Sequence, residues 1–432
     1  MDLVLYRRLF HKIPELGFEE VKTTKEIIKI LENFNCKLYY GRALYEKGAE
    51  SDMSDIDKGF TGVMAEFGVA PYFLFRTDID GLKIKETTDI THLPNTFGFA
   101  STNGNMHACG HDGHIALALA LCERFSKTGE SARVLFQPAE EGVRGARSMA
   151  DFITEDVGGF LSYHIGLGEE KGYIGVGTTD FLATTKLDMS FFGKAAHAAN
   201  APEKGISALT IAMAFIDMIK DLTIDAHSKK FINIGIINGG GQRNAIMDKI
   251  TLGMDLRSDS DEAMDEMLSS MEKIARCVSE AKGASYEMKV LAKANAYKEE
   301  NYELIDRVIE KLNANEIKTH RMPSFGASED VTFYLKKLKS RGVPAMHMML
   351  GTNLKGPHHS DTFDFDEEDL EFFYKAIGLA YEEMKEEWWA LLFLVSLNFS
   401  HIILIKSLQK KSICVIIFLW RNYYLHAKFF YT

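Results

Sequence analysis

"MHACGHDGH" (Met106–His114) brings three histidines, one cysteine and one aspartate into nine residues. It leads into "HIALALALCERF", whose alanines and leucines predict a helix over 114–125. We therefore expect Cys109 and His111 at the approach to a helix N-terminus. A Cys-x-His spacing is weak evidence for a metal by itself, because a lone buried cysteine or histidine is more often a core residue.

Four short apolar runs have the length and the flanks of buried strands. They are "YFLFR" ending at Arg76, "RVLFQ" ending at Gln137, "FLSYH" ending at His164 and "AMHMML" ending at Leu350. Each run delivers an aspartate, glutamate or histidine at or just past its C-terminal end. Because ligands of open α/β sheets bind outside those ends, we expect an α/β sheet with a functional rim.

A stretch of different character interrupts this pattern at 183–293. Its predicted order is strand, helix, strand, strand, helix, strand, which is the ferredoxin-like arrangement. We therefore expect a catalytic α/β domain over 1–182 and 294–387, and an inserted α+β domain between its two parts.

The first helix of the inserted domain is predicted from "GISALTIAMAFIDMI". Helical spacing places Ile206, Leu209, Met213 and Ile216 on one apolar face of this helix.

Composition excludes several classes of protein. The net charge of -11 over 432 residues argues against a nucleic-acid partner, which would require a basic face. Five cysteines form no disulfide framework and suit a reducing compartment. The N-terminus shows no signal peptide, so we expect a cytoplasmic protein.

The stretch 388–432 differs from the rest of the chain. It opens with the 18-residue uncharged run "WWALLFLVSLNFSHIILI" and then carries basic residues but no acidic ones. Length alone makes this run a borderline transmembrane candidate. The basic residues after it would place the rest of the chain outside the cell, although nothing exports it. We therefore favour a non-native extension over membrane association.

The candidate metal ligands are Cys109, His111, Glu141, His164 and His359. The predicted strand ends and helix start bring these residues to one rim. Thiolate, imidazole and carboxylate ligands suit borderline divalent ions. Five ligands exceed one four-coordinate site, so two ions that share a bridging water are expected.

Two adjacent carboxylates follow a predicted strand in "FQPAEE". Neighbouring side chains after a strand point in different directions, so Glu141 can bind metal while Glu140 faces the reacting water. A metal lowers the pKa of water toward ~7, which lets a carboxylate accept its proton near neutrality. The alternative is a solvated acidic loop, which the preceding proline and apolar strand disfavour.

These motifs together resemble the M20 metallopeptidase and amidohydrolase family, in its cysteine-containing branch. The resemblance is carried by "FRTDIDGL", "MHACGHDGH", "FQPAEEGVRGAR", "YHIGLG", "GKAAHAANAPEKG" and "HHSDTF". It extends from about residue 6 to residue 385. It implies a zinc-peptidase-like α/β/α catalytic domain with an inserted ferredoxin-like dimerisation (lid) domain. The implied activity is hydrolysis of the amide bond in N-acyl or N-aroyl amino acids.

The resemblance also implies roles for single residues. The five candidate ligands match the metal ligands of the family, and Glu140 matches its general base. Asp80 matches an acid that orients the site from behind. His197 matches a histidine that reaches the site of a partner chain and steadies the oxyanion. Asn244 and Arg257 match positions that bind the carboxylate of the substrate.

The expected cofactors are two divalent ions per subunit, manganese rather than zinc. A thiolate is a soft ligand and manganese a hard ion, so the donor set does not by itself fix the metal. The expected assembly is a homodimer, or a hetero-oligomer with a B-type subunit. "TTDFLATTKLD" and "GASEDVTF" are similar to the subgroup that hydrolyses p-aminobenzoyl-glutamate, which is therefore the expected substrate.

Other interpretations stay open. Within enzymes, the alternative is an N-acetyl amino acid deacetylase or a hippurate-type hydrolase. Outside enzymes, one alternative is a structural zinc protein, which normally has a closed four-ligand site, and the other is a non-catalytic metal-binding subunit. Taken singly, three of the residues have ordinary structural interpretations. His197 could cap a turn, Asn244 could occupy a glycine-rich turn, and Arg257 could be an exposed charge at the end of a strand. Met247 stands where the family usually has proline.

Overall fold

The computed structural model describes residues 1–224 and 227–386. The stretch 388–432 lies outside the described residues, and so does the prediction that it is a non-native extension. Among the described residues, no helix combines the length and the hydropathy needed to cross a bilayer.

Two β-sheets organise the described chain. The strands are β1 (Lys37–Tyr40), β2 (Val63–Phe67), β3 (Tyr72–Asp78), β4 (Ala132–Gln137), β5 (Val157–Ile165), β6 (Tyr173–Val176), β7 (Ala183–Phe192), β8 (Lys230–Gly239), β9 (Lys249–Ser258), β10 (Ser285–Ala294), β11 (Lys318–Arg321) and β12 (Ala345–Leu350). The helices are α1 (Leu3–His11), α2 (Val21–Leu31), α3 (Met53–Ile56), α4 (Leu93–Thr96), α5 (His111–Thr128), α6 (Ala146–Ile153), α7 (Ala208–Lys220), α8 (Asp261–Glu280), α9 (Tyr302–Asn313), α10 (Thr332–Ser340) and α11 (370–386). Short 3-10 turns lie at Gly41–Leu44, Pro202–Lys204 and Glu367–Asp369.

The first sheet has eight strands in the order β1-β2-β4-β3-β5-β12-β6-β11. Its central strands β4, β3, β5 and β12 run parallel, so their carboxyl ends lie along one edge. These four strands are the four apolar runs of the sequence. The predicted functional rim is therefore a single edge of this sheet.

Helices cover both faces of the first sheet. Phe73 and Phe75 pack into a core shared with α1, α2, α5 and α11, whereas Leu74 packs with α6 and α10. All of β3 is buried, as expected of a parallel strand covered on both faces. The result is a three-layer α/β/α arrangement.

The second sheet has four antiparallel strands in the order β10-β7-β9-β8, all between Ala183 and Ala294. Helices α7 and α8 pack on one face of it. The predicted α/β fold with an inserted α+β unit is thus confirmed. The domain limits 1–182, 183–293 and 294–387 remain our proposal.

Helix α5 begins at His111 and not at His114. Gly110 is its N-cap, with a φ of 84° that turns the chain sharply into the helix. His111 therefore belongs to the first helical turn, which fixes its position more firmly than a preceding loop would.

The apolar face predicted for α7 is not its buried face. The side chains buried against the sheet are Ala208, Ile211, Ala212, Phe215 and Ile219. Leu209 and Met213, by contrast, are 41% and 58% exposed. Nearly every position of this helix is apolar, so periodicity alone could not identify the side that packs on the sheet.

The observed orientation of α7 can be tested with Phe215→Ala. This side chain is fully buried, so truncation should lower the free energy of unfolding by about 3–5 kcal/mol. Asp217→Ala, at an exposed position of the same helix, should leave the denaturation midpoint unchanged. Equal effects of the two substitutions in chemical denaturation would contradict this orientation.

Candidate metal centre and catalytic cavity

A cavity of about 290 Å³ lies where the carboxyl edge of the first sheet meets the inserted unit. Its first wall comes from the loops after β4, β5 and β12. Four of the five predicted ligands line it, and they are joined by the predicted base: Cys109, Glu141, His164, His359 and Glu140. The opposite wall comes from β7 and β9.

The fifth predicted ligand, His111, lies directly beneath this cavity. Its donor atom is within 4.8 Å of those of Cys109 and His164, and also of those of Glu140 and Glu141. A further group within the same limit joins Cys109, Glu141 and His359. The five predicted ligands thus form overlapping groups around one cysteine.

One buried polar atom at the centre, Nε2 of His111, makes no hydrogen bond with the residues that the structure describes. Nδ1 of His111 donates to the carbonyl oxygen of Asp80 at 2.9 Å, which directs Nε2 toward the other donors. Unpartnered buried donor atoms are costly without a ligand. This donor set fits divalent cations.

Burial and charge act differently on the histidines of the centre. Desolvation, reinforced by His114, holds the pKa of His164 well below its usual value, so the ring is neutral. Its Nε2 is 3.4 Å from Sγ of Cys109. Hydrogen bonds to Cys109 and Glu141 raise the pKa of His359 to about 10, because the thiol and the carboxylate attract positive charge there.

The adjacent His358 has a different role from His359. Its Nε2 donates to the carbonyl oxygen of Ile165 at 3.1 Å. The ring therefore binds the backbone at the end of β5. His359 has a positive φ of 61°, and its Nε2 lies 3.3 Å from Oε1 of Glu141.

Asp80 holds the loop that carries both glutamates. Its carboxylate oxygens accept the backbone N–H groups of Glu140 at 3.2 Å and Glu141 at 2.9 Å. Gly145 closes the same loop, and a Cβ there would stand 1.9 Å from the carbonyl oxygen of Pro138. These contacts restrain the loop that positions both carboxylates, whose oxygens lie within 4.8 Å of each other.

Glu140 is buried beside further carboxylates. Burial raises the pKa of Glu140 well above its usual value, and the neighbouring Glu329 adds to this effect. Carboxylate oxygens of Glu140, Glu329 and Asp330 lie within 4.8 Å of one another. A carboxyl group in this environment can hold a proton near neutral pH.

A buried arginine, which the sequence interpretation missed, balances this charge. Arg76 lies at 3.0 Å from Asp78, 3.1 Å from Glu329 and 2.8 Å from Asp330. Gln137 also donates to Asp330, at 2.9 and 3.0 Å. An arginine within the apolar run "YFLFR" was the available signal, because a buried charge requires partners.

The third histidine of the opening motif is structural. Nδ1 of His114 pairs with Asp78 at 2.5 Å, and its Nε2 accepts the N–H of Ile165 at 2.9 Å. Both ring nitrogens are thus occupied, so His114 supports the centre and is not free to bind a ligand.

His197 and Asn244 do not reach the cavity of their own chain. Both are exposed on the inserted unit, where the N–H of Ala198 donates to the carbonyl oxygen of Asn244 at 3.0 Å. A larger depression of about 600 Å³ lies beside them, lined mainly by 238–251. It contains no cluster of possible metal ligands among the described residues, so the smaller cavity is the chemical site.

A family model described as peptidase family M20/M25/M40 matches residues 74–383. A homolog, from Haemophilus influenzae, of the A-type subunit of p-aminobenzoyl-glutamate hydrolase is 32% identical over 403 residues, which are 85% of this chain and 95% of that protein. The A-type subunit of p-aminobenzoyl-glutamate hydrolase from Escherichia coli is 30% identical, over 84% of this chain and 92% of its own length.

Among solved structures, a dinuclear metal binding peptidase of the M20 family from Bacillus subtilis is similar. It is 25% identical with a TM-score of 0.64, and the match covers 89% of this chain and 98% of that one. The similarity thus includes both sheets.

The buried ion network predicts that Arg76→Met destabilises the chain. Its loss would leave the carboxylates of Asp78, Glu329 and Asp330 without their cation, at a cost of about 3–5 kcal/mol. Arg321→Met removes an exposed pair with Asp306 and should leave the denaturation midpoint unchanged. Similar midpoints for both variants would show that the network does not stabilise the fold.

Proposed function

The chain belongs to peptidase family M20/M25/M40, and from this membership we propose that it is a metal-dependent amidohydrolase. The proposed reaction is hydrolysis of the amide bond in N-acyl and N-aroyl amino acids. The observation that carries this proposal is the convergence of the five ligand-type residues and Glu140 at one cavity.

Cys109, His111, Glu141, His164 and His359 would hold two divalent cations, with manganese as the proposed metal. When bound, such ions lower the pKa of water and polarise the amide carbonyl. Nε2 of His111, which makes no hydrogen bond with the described residues, supports this role.

Glu140 is proposed to move the protons. As the base it takes a proton from the attacking water, and as the acid it returns that proton to the leaving nitrogen. Its backbone N–H bond to Asp80 fixes the loop, and burial beside Glu329 favours the protonated form. Proton transfer by a positioned carboxyl group contributes about 10²–10⁴-fold to a rate.

The proposed substrate is p-aminobenzoyl-glutamate. Phe325 lines the cavity and stacks on Phe181 with ring centroids 4.5 Å apart, which leaves an aromatic surface for an aroyl ring. Arg257 lines the other wall, where its planar donor fork would bind the α-carboxylate. The relatives from Haemophilus influenzae and Escherichia coli carry this substrate in their names.

We propose a homodimer in which His197 and Asn244 complete the site of the partner. Two observations support a self-interface on the inserted unit. Leu209 and Met213 of α7 are exposed. The edge strand β8 also exposes Phe231, Ile236 and Ile237, at 51%, 63% and 65%. Exposed apolar edge strands readily pair with another chain. The alternative assembly includes a second subunit type, since the names of both relatives describe one lettered subunit of a hydrolase.

Glu140→Gln tests the proton-transfer role. The variant should keep its metal content yet lose about 10²–10⁴-fold in kcat for p-aminobenzoyl-glutamate, because the amide cannot accept the proton. Glu303→Gln, on the exposed side of α9, serves as the control and should match the wild type. Retained turnover in Glu140→Gln would remove the base assignment.

Mixing two inactive variants tests the contribution of the partner. His197→Ala should lose about 10²–10³-fold in kcat if it removes an oxyanion donor. After Glu140→Gln and His197→Ala chains are dissociated and reassembled together, about half of the dimers are mixed, and each has one intact site. About a quarter of the wild-type activity should return. No recovery would place His197 outside the site of the partner.

A further inference from the structure

The wall of the cavity opposite the metal centre consists of two neighbouring strands of the inserted sheet. Thr184 and Lys186 lie on the same face of β7, since they are two residues apart. On β9, Arg257 pairs with Thr184, and Asp255 pairs with Lys186. Thr184, Lys186 and Arg257 line the cavity, so this wall presents two cations.

Asp255 is already engaged by the other members of this wall. It accepts hydrogen bonds from Thr184 and from Arg257, both at 3.1 Å. The side chain of Lys186, its partner in the strand register, makes no hydrogen bond or ion pair with any residue in the described part of the chain. Its ammonium group is therefore available to a ligand.

The ammonium group of Lys186 extends across the cavity toward the metal centre. It lies 3.8 Å from the point where a Cβ on Gly142 would stand, and Gly142 directly follows Glu141. Gly142 has a φ of 90°, which L side chains rarely adopt. The side chain of Lys186 is half-buried, so a charged partner would compensate its partial loss of water.

The two cations are placed to bind two carboxylates of one molecule. Lys186 and Arg257 are diagonal neighbours on adjacent antiparallel strands, a relation that separates residues by about 7–8 Å. Both side chains are long and flexible. Glu140 and Glu141 on the first wall form no ion pair with Lys186 or Arg257 among the described residues.

We propose that Lys186 binds the side-chain carboxylate of a dicarboxylic amino acid whose α-carboxylate is bound by Arg257. This inference rests on the proposed function, because it specifies the amino acid half of that substrate. Conjugates of glutamate and aspartate are then the preferred class. Conjugates whose side chain is neutral bind through Arg257 alone.

The test compares p-aminobenzoyl-glutamate with p-aminobenzoyl-glutamine, which has nearly the same shape but no side-chain charge. The wild type with manganese should prefer the glutamate conjugate by about tenfold or more in kcat/KM, because a charged hydrogen bond is lost with glutamine. Lys186→Met should abolish most of this preference, mainly through KM of the glutamate conjugate.

Three further variants separate binding from a structural effect. Lys186→Arg retains the cation and should retain the preference, which a merely structural role of the lysine stem would not explain. Lys289→Met, at an exposed position of β10, should retain both the preference and the activity. Lys186→Glu should reverse the preference in favour of the glutamine conjugate.

Equal turnover of the two conjugates by the wild type would overturn the role of Lys186 and leave the proposed function intact. An equal loss with both conjugates in Lys186→Met would do the same. If the wild type hydrolyses neither conjugate with manganese or with zinc, the proposed function fails and this inference fails with it.

Discussion

The fold depends on compensating the negative charge that is buried at the carboxyl edge of the first sheet. Asp78, Asp80, Glu140, Glu329 and Asp330 are all buried there. Carboxylates removed from water are tolerated only when cations or hydrogen bonds compensate them. Arg76 compensates one side of this cluster. On the other side, the cysteine, the histidines and Glu141 form a set of donors suited to added cations.

This constraint explains why the parts of the site are linked. The carboxylate of Asp80 accepts the backbone N–H groups of both glutamates, and its carbonyl oxygen fixes the ring of His111. Asp78 binds both Arg76 and His114. The proposed ligand His111, the proposed proton-transfer group Glu140 and the buried ion network therefore all depend on the end of β3 and the two residues that follow it. Such supporting contacts hold ligands and acids within the narrow tolerances that catalysis requires.

The sequence predicted the parts whose signals are local. Continuous apolar runs identified β3, β4, β5 and β12 because a strand buried on both faces has no polar alternation. The aspartate, glutamate and histidine residues at the ends of those runs then indicated the functional edge of the sheet. The buried side of α7 could not be predicted, because its residues are apolar on every side. The role of Arg76 depends on Glu329 and Asp330, far away in the chain, which no local pattern reveals.

In our proposal, the inserted unit links this chemistry to the choice of substrate. Its strands β7 and β9 supply the cationic wall of the cavity, whereas His197 and Asn244 lie elsewhere on its surface. In the proposed dimer, one copy of this unit would therefore serve its own site through Arg257 and that of its partner through His197. In this proposal, the first sheet supplies the metal ligands and the inserted unit selects the substrate.

The central claim is that five residues from distant parts of the chain hold a pair of cations. Crystals of the protein grown with manganese, measured at the absorption edge of manganese, test this claim most directly. The anomalous difference map should show two peaks per chain, each within coordination distance of donor atoms of Cys109, His111, Glu141, His164 or His359. Peaks at other residues, or no peak in this cavity, would contradict the account.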